Sequence, residues 1–160
     1  MNAIWRAARL LVLVYVSWLL MLALHEAGHV MHAYASGGRV RRVSTPLLGF
    51  SETFYSRNPH PQFVAWGGPV WGAILPLLGL VAARRGTVRR YAQFFAGFCL
   101  IANGAYIGIG WINRAGDAGD LLRYGAPVWA LVVFGLASCA LGLWLWHCVS
   151  NEAKQIPLQQ

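Results

Sequence analysis

Charge is scarce in this sequence, and acidic charge scarcest of all. Only 11% of its 160 residues are charged, five of them acidic, whereas a water-soluble domain is about one-quarter charged. So few charges cannot cover a globular surface, which argues against a soluble enzyme. Cysteine is scarce too. Cys99, Cys139 and Cys148 are odd in number, lie within apolar runs and show no CxxC spacing. That excludes a disulfide framework or a cysteine-based metal knuckle. No soluble basic face interleaved with aromatics exists, so no nucleic-acid partner is expected. Repeats and low-complexity tracts are also missing, and residues 1–160 read as a single domain.

What is present is apolar length. Hydrophobic residues make up 58% of the chain, with eight Trp among them. Stretches 7–35, 62–83, 91–112 and 126–149 approach or exceed the roughly 20 residues that cross a bilayer. The expected fold is an all-α multi-pass membrane protein with about four transmembrane helices, residing in the cell membrane with the lipid bilayer as its first partner. The basic residues fall in the connections (Arg39, Arg41 and Arg42; Arg84, Arg85, Arg89 and Arg90; Arg114 and Arg123) and give a net charge of +8. At those places they face anionic headgroups. Seven Lys and Arg fall on the N-terminal side and six on the other, so the positive-inside rule leaves the orientation open. Arg6, Arg9, the first apolar run and Ala33-Tyr34-Ala35 imitate a secretory signal. A polar stretch separates that run from the mock cleavage site, so the segment reads as a retained anchor.

Gly37-Gly38 supplies a helix stop. Residues 39–57, RVRRVSTPLLGFSETFYSR, then lose the helical pattern. Val40, Val43 and Thr45, then Phe50, Thr53, Phe54 and Tyr55, flank a Pro46–Gly49 turn, which predicts a short β-ribbon with open edges. In the second apolar segment, Gly68 and Gly72 form a small-xxx-small pair and predict close approach of another helix backbone.

The chemistry sits at the end of the first apolar run. Leu10 to Leu24 is apolar except for Ser17, and then His25, Glu26, His29 and His32 follow without a break. Titratable groups at membrane depth cost several kcal/mol and need a purpose. His25 and His29, four residues apart, project from one helix face about 6 Å apart, a spacing that lets two imidazoles share one zinc ion. Glu26, beside the first, is placed as general base: this is the HExxH arrangement. His32 lies on the same face, but roughly 10 Å of axial separation from His25 makes it an interfacial residue and not a co-ligand. Zinc needs a third protein ligand. Of the remaining acids, Glu52 reads as a polar ribbon residue and Glu152 as part of the tail. Asp117 and Asp120 follow the third segment and are carried by topology to the correct side of the membrane. A helix starting in that loop would put Asp120 in its first turn, where the helix dipole suffices to explain a carboxylate.

HEAGH in the first core helix, Gly67-Gly68-Pro69 in the second and Asp117-Ala118-Gly119-Asp120-Leu121-Leu122 after the third together resemble the site-2 protease family of intramembrane zinc metalloproteases. The resemblance spans roughly residues 20–125. It implies that Asp117 is the third ligand of Zn2+ beside His25 and His29, that Glu26 is catalytic, and that residues 39–57 are the family's membrane-associated ribbon. Asn103 corresponds to a substrate-binding Asn that precedes the Asp motif, with Tyr106 where the family has Pro; Gly72 stands where it often has Asn. The implied activity is hydrolysis of a transmembrane protein substrate by zinc-activated water. With no PDZ-like or CBS-like regulatory domain, the chain resembles a minimal catalytic core of the family, and a regulatory membrane partner or a homo-oligomer is among the partners the resemblance implies. The alternative reading is a non-catalytic membrane metal-binding scaffold, or a degenerate protease that binds membrane helices.

Overall fold

A computed structural model describes residues 2–154, with side chains through residue 151. The elements are α1 (Ala3–Ala35), β1 (Arg39–Ser44), β2 (Glu52–Arg57), α2 (Pro61–Ala82), α3 (Gly86–Asn113), α4 (Gly116–Arg123) and α5 (Val128–Lys154). Four of these helices, α1, α2, α3 and α5, are long and apolar enough to cross a membrane. A small antiparallel sheet lies between the first two of them, as the expected fold required. The helices overrun the predicted boundaries at α1 and α3, which begin at Ala3 and Gly86, and at α5, which continues to Lys154. Hydropathy marks the part that suits lipid, but the backbone continues to hydrogen-bond past it into the polar flanks.

α1 ends where the glycine pair stands. Gly37 has φ +75°, and the Gly38 N–H closes the turn on the Ala33 carbonyl at 2.7 Å, a left-handed stop that glycine adopts at no steric cost. β1 then pairs with β2, Val43 opposite Thr53 and Ser44 opposite Glu52, with irregular register near Val40. A two-stranded ribbon is barely stable by itself, and this one leans on α1. The Tyr15 hydroxyl donates to the Leu47 carbonyl at 3.1 Å, and Trp18 meets Phe50 edge-on with ring centroids 6.2 Å apart.

Packing divides into α1 against α2 and α3 against α5, with α2 also touching α3, while the backbones of α1 and α3 lie farther apart and meet through side chains, Met21 and Leu22 packing on Cys99. The space between α1 and α3 is roofed by the ribbon's tip, where Phe50 also stacks on Tyr106 of α3 at 6.2 Å. Beneath it lies a cavity of about 770 Å³. Here one expectation is corrected. The close backbone approach of α1 and α2 is made by Gly28 and Gly67, where a Cβ on Gly28 would stand 2.8 Å from the Gly67 carbonyl carbon. Gly68 and Gly72 instead leave room for side chains. A Cβ on Gly68 would meet the His29 ring, 2.7 Å from Cε1, and one on Gly72 would stand 2.8 Å from the Asn103 amide.

The loop after α3 holds the helix α4, which the composition had not marked. Arg114 adopts φ +49° and Gly116 φ +51° to turn the chain back. Gly119 lies so close to the end of α3 that a Cβ would be 2.6 Å from the Arg114 carbonyl carbon. Ala118 and Leu121 are then fully buried against α3 and α5 neighbours such as Ile107 and Leu131. That burial holds the helix and aims its other face at α1.

Candidate metal centre

His25, Glu26 and His29 are nearly sealed from solvent, at 6%, 3% and 4% exposure. They lie on the face of α1 turned toward α2 and the cavity, where Gly68 leaves the imidazoles room. Into this corner α4 delivers Asp117. Its Oδ2 stands 2.8 Å from His25 Nε2 and 3.2 Å from His29 Nε2, and the two Nε2 atoms are 3.2 Å apart. Among the described residues these three side chains form the one cluster able to share a metal ion.

The tautomers follow from the outer contacts. Asn103 donates its Nδ2 to the Cys99 carbonyl at 2.9 Å, so its Oδ1 faces His25 Nδ1 at 2.7 Å and accepts that N–H. His29 Nδ1 lies 2.8 Å from the Val64 carbonyl, which can only accept. Both imidazoles therefore carry their proton on Nδ1 and point Nε2 lone pairs at Asp117 Oδ2. Three acceptors converging at these distances repel unless a proton or a metal ion joins them. Tetrahedral zinc with bonds of about 2.0–2.1 Å would hold its ligand atoms roughly 3.3 Å apart, close to what is seen. The backing of each His by an amide or carbonyl oxygen is how metal-ligating imidazoles are usually oriented. By the chemistry of its donors, the site fits a zinc ion.

The Asp117 backbone N–H donates to Tyr106 Oη at 3.2 Å, which pins the start of α4 to α3.

Sequence reasoning singled out the three clustered residues and Glu26. His32 is turned aside, as its axial distance required. Its Nδ1 donates to the Phe63 carbonyl at 2.6 Å, and its Nε2 accepts the Trp71 indole N–H at 3.0 Å, so it joins α1 to α2. Asp120 also borders the cavity but is not part of the cluster; its side chain is 48% exposed and paired with Arg123 at 3.1 Å. The helical register is corrected, however: α4 begins at Gly116, so its first turn contains Asp117 and not Asp120. Asn103 lines the cavity, but both arms of its amide are engaged within the protein. Glu52 lies on the exposed side of the ribbon at the cavity's rim, and the side chain of Glu152 lies outside those described. One contact has no signature in the sequence: the Thr53 hydroxyl of β2 donates to Glu26 Oε2. Nothing in local spacing connects residues 27 positions apart on a helix and a strand.

Comparison with protein-family models, with curated proteins and with solved structures finds no match to this chain.

Proposed function

We propose that this protein is an intramembrane zinc metalloprotease, similar to the site-2 proteases, that hydrolyses peptide bonds of transmembrane substrates. The observation that carries the reading is the convergence of His25 Nε2, His29 Nε2 and Asp117 Oδ2 beside a buried glutamate, at the depth of an apolar helix. His25, His29 and Asp117 would hold the ion. The chemistry such an ion supplies is Lewis-acid activation of water and of a carbonyl. Glu26 takes the proton of the attacking water as its oxygen bonds to the peptide carbonyl carbon. It returns that proton to the amine nitrogen as the C–N bond breaks. Asn103 and the Val64 carbonyl keep the imidazoles in the tautomer that leaves Nε2 free.

A substrate helix hides its carbonyls in internal hydrogen bonds, so it must be extended before attack. The cavity extends from Trp18, Met21 and Leu22, at apolar depth along α1, to Asn58 and Tyr124 on the loop side. The ribbon beside it offers a free edge for strand addition. Replacing the base tests the reading against a metal-binding scaffold. Glu26→Gln should retain one zinc per chain and lose at least about 100-fold in cleavage of a single-span substrate. Equal cleavage by both proteins, with zinc retained, would overturn it.

A further inference from the structure

Glu26 is a carboxylate at 3% exposure, and no cationic side chain pairs with it among the described residues. A buried charge left without partners is costly. Its one side-chain hydrogen bond among the described residues comes from Thr53, itself only 8% exposed. Thr53 belongs to β2 and is paired with Val43 across the ribbon. The ribbon therefore touches the proposed base through one hydroxyl.

We propose that Thr53 is a positioning residue: its hydroxyl holds Glu26 Oε2 and so presents Oε1 to the reacting water, making the orientation of the base depend on the strand β2. The inference rests on the protease reading for its consequence, but on the Thr53–Glu26 contact for its content. A carboxylate has two oxygens and a freely turning χ3. Fixing one oxygen by a donor from a separate element selects the direction of the other, in the way outer partners orient functional groups elsewhere. The donor's location gives the arrangement a further property. An extended segment added to the free edge of the ribbon would stiffen β2, the same strand that carries Thr53. Strand addition and alignment of the base would then be coupled through one side chain. Serine can replace this donor, whereas valine keeps the shape of threonine and lacks the hydroxyl.

The test uses zinc-loaded, full-length protein in detergent, with two readouts. Acetohydroxamate is the probe for the first, since a hydroxamate chelates zinc and also hydrogen-bonds to an adjacent base, and its binding does not require peptide hydrolysis. Thr53→Val should keep its zinc and bind the hydroxamate about tenfold more weakly, and Thr53→Ser should bind it within about threefold of the wild type. In a Glu26→Ala background, which leaves the hydroxyl no acceptor at this position, Thr53→Val should have no further effect, because Thr53 acts only through the carboxylate. In the second readout, cleavage by Thr53→Val should fall about 10- to 100-fold in kcat with KM unchanged within about twofold, and Thr53→Ser should restore it. Wild-type affinity in Thr53→Val, or a loss of equal size in the Glu26→Ala background, would overturn the proposal. If the wild type binds the hydroxamate but cleaves nothing, the protease reading fails while the binding cycle still decides the role of Thr53. If the zinc-loaded wild type does not bind the hydroxamate at all, both fail.

Discussion

His25 and His29 share a helix face but are held by different neighbours, and their partners decide which substitutions matter. His25 leans on Asn103 of α3, and His29 on the Val64 carbonyl of α2. His25→Ala, His29→Ala and Asp117→Ala should each reduce zinc affinity by at least an order of magnitude, whereas His32→Ala and Asp120→Ala should retain one zinc per chain. Asn103→Ala should cost roughly 10- to 100-fold in affinity, the usual effect of removing an outer partner. Metal analysis after dialysis against graded chelator measures all six. The paired histidines and Glu26 were legible because an i, i+4 spacing is local and survives any tertiary arrangement. Asp117 was reached only through topology and a resemblance, since 88 residues separate it from His29. The helix-dipole explanation had been assigned to the wrong acid. With α4 beginning at Gly116, the first-turn position belongs to Asp117, and what separates the two acids is their partners: Asp117 meets His25 and His29, whereas Asp120 pairs with Arg123.

Among the elements, α2 depends most on having no side chains. Gly67 admits the backbone of α1, Gly68 the two imidazoles and Gly72 the Asn103 amide. Gly68→Ala should therefore lower zinc affinity at least tenfold without unfolding the protein. Gly79→Ala, with open space around its Cβ, should leave both zinc and stability unchanged. Metal titration alongside thermal unfolding separates these outcomes. The ribbon was readable from its β-branched and aromatic residues around a Pro-Gly turn, but its docking was not, because Thr53–Glu26 and Tyr15–Leu47 are tertiary contacts. A proline at Val43 should remove ladder pairing opposite Thr53 and impair cleavage while zinc stays bound. Unchanged cleavage by the folded variant would remove the ribbon from substrate handling. The start of α4 was misplaced for a different reason: GDAGDLLR carries two glycines, poor helix formers, and burial of Ala118 and Leu121 supplies what propensity does not.

At the scale of the whole molecule, charge is sorted. Four of the five acids (Glu26, Glu52, Asp117 and Asp120) line the cavity at the histidine cluster, and no Lys or Arg among the described residues does. The hydropathy of the chain made four long helices legible at once. It could not show that the ribbon's tip reaches from α1 to α3, Phe50 meeting both Trp18 and Tyr106. Leu47, Leu48 and Phe50 at that tip are 69%, 83% and 73% exposed, beside Tyr15 in the apolar part of α1, a placement that suits lipid contact. In vesicles, with the three native cysteines replaced, Leu48→Cys should resist an aqueous maleimide while Arg41→Cys reacts. Equal labelling of both would put the tip in water.

The central claim is that one zinc ion on His25, His29 and Asp117 enables hydrolysis by Glu26. Its most direct test is to strip the purified protein with a chelator, then restore zinc stepwise while following cleavage of a single-span substrate. Cleavage should be absent from the stripped protein and return in proportion to zinc, saturating at one equivalent per chain, with Glu26→Gln binding the same equivalent and staying inactive. Cleavage that persists in the stripped protein, or that returns equally in Glu26→Gln, would contradict the account.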